Sequence, residues 1–135
     1  GDVHGRVDHQ SLGISLHQVG DCYSSTGHFE EARPWFERAV AEKEKGDVHG
    51  RVDHQSLGIS LHQVGYCYSR RGRFEEARPW FQRAVAEAEK GDLYGRVHPE
   101  TVTALIKTLV DCLRQLDLTD EANQWDQRRA QAAGN

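Results

Sequence analysis

Apolar residues in the first 45 positions fall on two helical stripes. Leu12, Leu16, Val19 and Tyr23 follow i, i+4, i+7, i+11, one face of an α-helix. Beyond Gly27, a second stripe is made by Phe29, Ala32, Phe36, Ala39 and Val40. Gly20 lies on the first stripe, where glycine costs about 1 kcal/mol of helix propensity against Ala. Its expected return is close approach of the second helix. Gly27 predicts a left-handed cap, and so short a connection makes the two helices antiparallel neighbours. Shifted by 45 residues the pattern returns as Leu61, Val64, Gly65, Tyr68, Gly72, Phe74, Ala77 and Phe81. A worn third copy keeps Ile106, Leu109, Val110, Leu113 and Ala122. A fixed period of this length predicts stacked helical hairpins. The units are 1–45, 46–90 and 91–135, with helices near 8–26, 28–45, 53–71, 73–90, 98–116 and 119–133.

The helix starts agree in all three copies. Asp8 and Asp53 are N-cap residues, and Pro99 stands at the first helical position of unit three. Val7 with Leu12, Val52 with Leu57 and Val97 with Val102 fit a hydrophobic staple. Gly46 and Gly91 close the second helices. Pro34 and Pro79 fall inside those helices, which are nonetheless read as unbroken. Trp35, Trp80 and Trp125 flank the second stripe and are expected to pack between units. In unit three Phe36 and Phe81 become Asp126, and Ala39 and Ala84 become Arg129. Charge at positions that would face a further unit reads as a C-terminal cap. Unit one has no such cap, so its first helix is expected to expose Leu12, Leu16 and their apolar neighbours and to self-associate.

Gly20, Tyr23, Ala32, Phe36 and Ala39, with Leu16 and Val19 at the remaining positions of a first-helix signature, resemble the tetratricopeptide repeat. Unit two matches equally well. The closing Pro of that family is replaced by Glu44 and Glu89, and the unit is longer than the usual 34 residues. The chain looks most like the extended subtype of kinesin light chains and large bacterial signalling proteins, whose helices often open with His-Pro, as at His98-Pro99. The resemblance implies an all-α, right-handed α-solenoid of three helix-turn-helix repeats over residues 1–135. It also implies a cytoplasmic, non-enzymatic scaffold without cofactors, binding a protein or peptide on the concave face that the first helices line. His17, Asp21, His62, Tyr66, Arg70, Lys107, Asp111 and Arg114 are the candidate site residues by that carry-over. The chaperone-binding members clamp a carboxylate with Lys and Asn where this chain has His17 and Asp21, so that clamp is not expected.

Composition narrows the alternatives. The net charge of −4 gives a nucleic-acid partner no electrostatic support. No apolar run approaches the roughly 20 residues that span a bilayer. The chain has no Met, and units one and two differ only at positions 21, 25, 26, 28, 37 and 43. Together these suggest a piece of a longer array or an engineered one, acting as a structural or self-assembling module; this is the alternative to a peptide-binding scaffold. Cys22, Cys67 and Cys112 share one repeat position and should lie roughly 10 Å apart, too far for a disulfide.

Two motifs invite metal chemistry. Gly1-Asp2-Val3-His4-Gly5 and Gly46-Asp47-Val48-His49-Gly50 look like the GDxHG motif of metallophosphatases, but the partner motifs are absent. The plainer reading is a two-glycine turn in which Asp2/Arg6, Asp47/Arg51 and Asp92/Arg96 tie stacked loops together. His4, His9, His49 and His54 are the remote alternative, a His-lined site that needs converging ligands. The acidic residues Glu30, Glu31, Glu37, Glu42 and Glu44 of the second helix fit a solvated face.

Overall fold

A computed structural model describes residues 6–134. The first GDVHG copy, with Asp2 and His4, lies outside the described residues. Six helices follow in order: α1 (His9–Ser24), α2 (Phe29–Lys45), α3 (His54–Ser69), α4 (Phe74–Ala88), α5 (Pro99–Gln115) and α6 (Thr119–Gly134). They pair as α1/α2, α3/α4 and α5/α6, and the hairpins stack through α2 on α3 and α4 on α5. The fold is the expected all-α right-handed solenoid.

The local chemistry at the helix ends explains the boundaries. Oδ1 of Asp8 accepts the backbone N–H of Ser11, and Oδ1 of Asp53 accepts that of Ser56, each at 3.0 Å. These caps satisfy donors that a first turn leaves free. In the third hairpin His98 offers no such bond, and Pro99 takes its place at the first turn. The turns between paired helices need a left-handed residue: Gly27 and Gly72 have φ of +80° and +74°. Asp117 fills that position in the third hairpin at φ 59°; Asp is among the few side chains that accept this region. Helices α2 and α4 run through Pro34 and Pro79 without interruption.

One apolar core runs along the stack from Ala32 and Phe36 to Ala122. Phe36 and Phe81 are its largest fully buried side chains. Each lies against the glycine of its own first helix. A Cβ built on Gly20 would stand 2.7 Å from Cε1 of Phe36, and one on Gly65 2.7 Å from Cε1 of Phe81. Gly13 and Gly58 pack as closely about two turns earlier: a Cβ on Gly58 would meet the Ala84 carbonyl oxygen at 2.8 Å. An exposed helical Gly→Ala ordinarily stabilises by about 1 kcal/mol. Here the sign should invert. Gly65→Ala is expected to lower the melting temperature, and a higher value in a calorimetric scan would refute this packing.

Trp80 and Trp125 pack against the core with one side, while Arg83 and Arg128 cover the other at 5.6 and 4.1 Å. Trp35 is half-buried under Arg38. The loop aspartates act differently from the expectation. Asp47 pairs with Arg51 at 3.1 Å and Asp92 with Arg96 at 3.3 Å, each within its own loop. Oδ1 of Asp47 also accepts the N–H groups of His49 and Arg51, so the carboxylate serves the turn it begins and has no reach left for the next loop. The first two loops meet through Arg6, which donates to the Val48 carbonyl oxygen at 3.5 Å, and successive hairpins are also tied on α2, α4 and α6, where Glu44 meets Arg83 at 3.2 Å and Glu89 meets Arg128 at 2.6 Å.

Candidate functional site

Helices α1, α3 and α5 together form one face of the stack, and a cavity opens on it at each junction. The first, of about 350 Å³, is lined by Ile14, His17 and Asp21 of α1, Lys43 of α2, and Asp53, Gln55 and Ile59 at α3. The second, about 290 Å³, is bounded by Tyr66 and Ser69 of α3, Phe74 and Phe81 of α4, and Thr108, Asp111 and Gln115 of α5. Both belong to the same face because positions 14, 18, 21, 59, 66, 108 and 111 are repeat-equivalent or one helical turn apart.

The floor of the first cavity is a buried polar chain. Lys43 is only 3% exposed. Its Nζ donates to the Ser60 hydroxyl at 2.8 Å and to the Ser56 carbonyl at 3.1 Å. Nδ1 of His17 lies 2.8 Å from the same hydroxyl. Lysine only donates, so Ser60 accepts from it and has its own proton to give to Nδ1. That arrangement keeps the His17 proton on Nε2, the atom 3.5 Å from Oδ1 of Asp21. Burial, then the Lys43 charge, hold the His17 pKa below its usual value. Burial likewise pulls the Lys43 ammonium down to about 8, against the opposing pull of Asp53 and Asp21.

The second junction lacks this chain. Leu105 stands where Ser60 would be, and Ala88 where Lys43 would be. His62, the counterpart of His17, is left with a buried Nδ1 that has no partner. Its ring packs on Phe81 at 5.4 Å, and burial pushes its pKa down to about 4. Tyr66 meets Phe29 of the first hairpin edge-on at 5.7 Å, and Arg70 stacks over Phe29 at 5.3 Å. Both contacts cross the first junction, between α3 and α2, and Arg70 remains exposed. Arg114 is held by Asp126 and by the Asn123 side-chain oxygen, each at 3.1 Å. Lys107 and Asp111 are exposed on α5. The structure brings His17 and Asp21 together, and Tyr66 and Asp111 to one cavity.

Sequence reasoning missed Lys43, Ser60 and Asp53. One signal existed: position 43 is among the six that differ between otherwise identical units, and its partner 60 departs in unit three. Of the histidines in the metal reading, His9 and His54 are engaged elsewhere, and His4 lies outside the described residues. Nδ1 of His9 lies 2.6 Å from Glu42, and Nδ1 of His54 2.6 Å from Glu87. These bonds join the start of each first helix to the end of its second and hold the Glu42 carboxyl below its ordinary pKa. Glu42 and Glu44 thus serve packing as well as solvation. Among the described residues no three His, Cys, Asp or Glu side chains gather as metal ligands would. Cys22, Cys67 and Cys112 are free thiols; burial raises the Cys67 pKa to about 12. No helix among the described residues is long and apolar enough to cross a membrane.

Two family models, both described as Tetratricopeptide repeat, match residues 14–45 and 58–100. The chain belongs to the tetratricopeptide-repeat family. These repeats generally act as protein–protein interaction modules, and the fold is typically non-enzymatic. Among curated proteins no sequence matches this chain. Two solved structures share the fold. The TPR domain of Arabidopsis FLU superposes with a TM-score of 0.69 at 16% identity, covering 90% of this chain and 93% of that one. A putative kinesin light chain of Podospora anserina with nearly identical TPR-like repeats superposes with a TM-score of 0.69 at 23% identity. That comparison covers 93% of this chain and 57% of the other, so the present repeats span little more than half its length.

Proposed function

We propose that this tetratricopeptide array is a binding scaffold whose α1/α3/α5 face receives a segment of another protein. The observation that carries the reading is the pair of cavities in series on that face, one per junction, the first mostly polar between Ile14 and Ile59 and the second walled by Tyr66, Phe74 and Phe81 with a few polar groups. Pockets of that make-up suit side chains projecting from one bound segment. Tyr66 borders the second cavity and is braced by Phe29, so it offers a rigid aromatic surface to a bulky apolar side chain of the partner. Asp21 and Asp53 give the first cavity an acidic rim. Lys107, exposed one turn from Asp111, and Arg114 make the far end more basic. Because Arg114 is already shared with Asp126, Lys107 is the stronger of the two for an acidic residue of the partner.

The partner segment therefore carries an apolar anchor between a basic or polar stretch near α1 and acidic residues near α5. Affinity is expected to fall with salt, since exposed charge pairs are screened over about 10 Å at 0.1 M. A peptide-array screen followed by titrations checks this. Tyr66→Ala should weaken every hit by tenfold or more, with smaller losses for Lys107→Ala and Arg114→Ala. Hits that tolerate all three substitutions would move binding to the loops or to the α2/α4/α6 side.

A further inference from the structure

Helices α1 and α3 have the same residues along one stripe: Leu12/Leu57, Ser15/Ser60, Val19/Val64, Cys22/Cys67. On α3 that stripe is covered by α2. Leu57 is 3% exposed and Val64 0%, whereas Leu12 is 41% and Val19 36% exposed. Ser60 is buried and Ser15 open; Cys67 is buried and Cys22 open. The molecule thus contains one surface twice, once with its occupant and once without. Leu16, expected among the exposed residues, is buried within the first hairpin and does not belong to the open surface.

The occupied copy shows what chemistry the surface selects. Alpha-2 contributes Phe36 and Val40 to the core cluster that holds Leu57, Val64 and Cys67, and inserts Lys43 over Ser56 and Ser60. The other junction is built differently. Alpha-4 has Ala88 at the lysine position, and α5 answers with Leu105 in place of Ser60, the serine whose hydroxyl the lysine uses. A buried ammonium needs acceptors, and a buried serine beside an apolar wall needs a donor, so the two junctions do not exchange freely. The side of α1 is of the serine kind, with Ser11 and Ser15 at the positions of Ser56 and Ser60. A second copy of this chain has no such helix to offer. Its α2 is already under α3, and its free α6 carries Asp126, Arg129, Ala130 and Ala133 where α2 has Phe36, Ala39, Val40 and Lys43.

We propose that the open side of α1 is a docking surface for a helical hairpin of the first repeat's kind, recognised by a lysine that its second helix inserts between Ser11 and Ser15. The phenylalanine and valine of that helix cover Leu12 and Val19. The lysine reads Ser15, and a hairpin with alanine at that position matches a leucine there instead, as Ala88 matches Leu105.

Cys22 is the reporter. The full chain is extended ahead of Gly1 by one additional copy of residues 1–45, and thiol labelling is followed residue by residue. Cys22 labelling should slow at least tenfold, toward the rate of Cys67. Changing only the lysine of the added copy to alanine should restore several-fold faster labelling, and adding S15L to that chain should slow it again. Unchanged Cys67 and Cys112 protection confirms that each variant is folded. The proposal is overturned if lysine and alanine copies protect Cys22 equally, or if neither does. It is overturned too if the unextended chain sediments as a dimer with Cys22 already protected, because a second copy then covers α1.

Discussion

Replacing Phe81 by Ala is expected to cost about 3–5 kcal/mol of unfolding free energy, the range for large aromatic deletions in a packed core. Phe81 is fully buried where α3, α4 and α5 meet, with Gly65 and His62 against its ring. The space it leaves cannot close easily, because helices on either side hold the backbone apart. A solenoid has no central core to share the loss; each hairpin is held by its neighbours alone. The loss should therefore fall on the second junction, with the third hairpin detaching first. Denaturant titration gives the total, and hydrogen exchange shows where protection is lost. Asp126→Ala, at the same repeat position, is the control. Asp126 pairs with Arg114 and Arg129 at the surface, so its loss should cost about 1 kcal/mol or less. Similar losses for the two would mean the repeat register does not govern stability.

Acid should destabilise the protein before its carboxylates titrate. The folded pKa of His62 is depressed to about 4 by burial, from about 6.5 in the unfolded chain. Between those values the unfolded state binds more protons, so stability rises with pH there. The contribution is complete above about pH 6.5 and is lost as pH falls toward 4. A shift of this size corresponds to on the order of 3 kcal/mol. His17 is depressed as well and acts in the same direction. Asp8, Glu42 and Glu87, all lowered, add losses at still lower pH. His62→Leu separates the terms. It removes a buried nitrogen that has no partner, so it should leave stability at pH 7.5 unchanged or higher and flatten the slope between pH 6.5 and 4.5. A variant that keeps the wild-type slope would show that His62 is solvated in the folded state.

Most of the fold was legible in the chain because its signals are local and stated three times. Leu57, Leu61 and Val64 had to lie on one face, Gly72 had to turn the chain, and Asp53 had to start a helix, whatever else the protein did. The match of Gly65 to Phe81 was legible too, since a glycine on an apolar stripe has few other uses. The choice of groove residues came from the family resemblance and not from periodicity, while the loss of an aromatic at Asp126 marked the last hairpin as different.

The partners of polar side chains were decided only by the tertiary structure. Lys43 and Ser60 lie 17 residues apart on different hairpins, and His17 and Ser60 lie 43 apart. Periodicity fixes which way a side chain points. It does not fix which of several donors within reach a buried acceptor takes, because that depends on stacking distance and on what has been excluded from water. Lys43 lies between two glutamates that read as solvated and is buried; Arg114, a candidate site residue, is shared with Asp126; Asp47 read as a link between loops and closes its own. In each case a shift of a few ångströms between helices chooses the partner, and desolvation then makes the choice costly to undo.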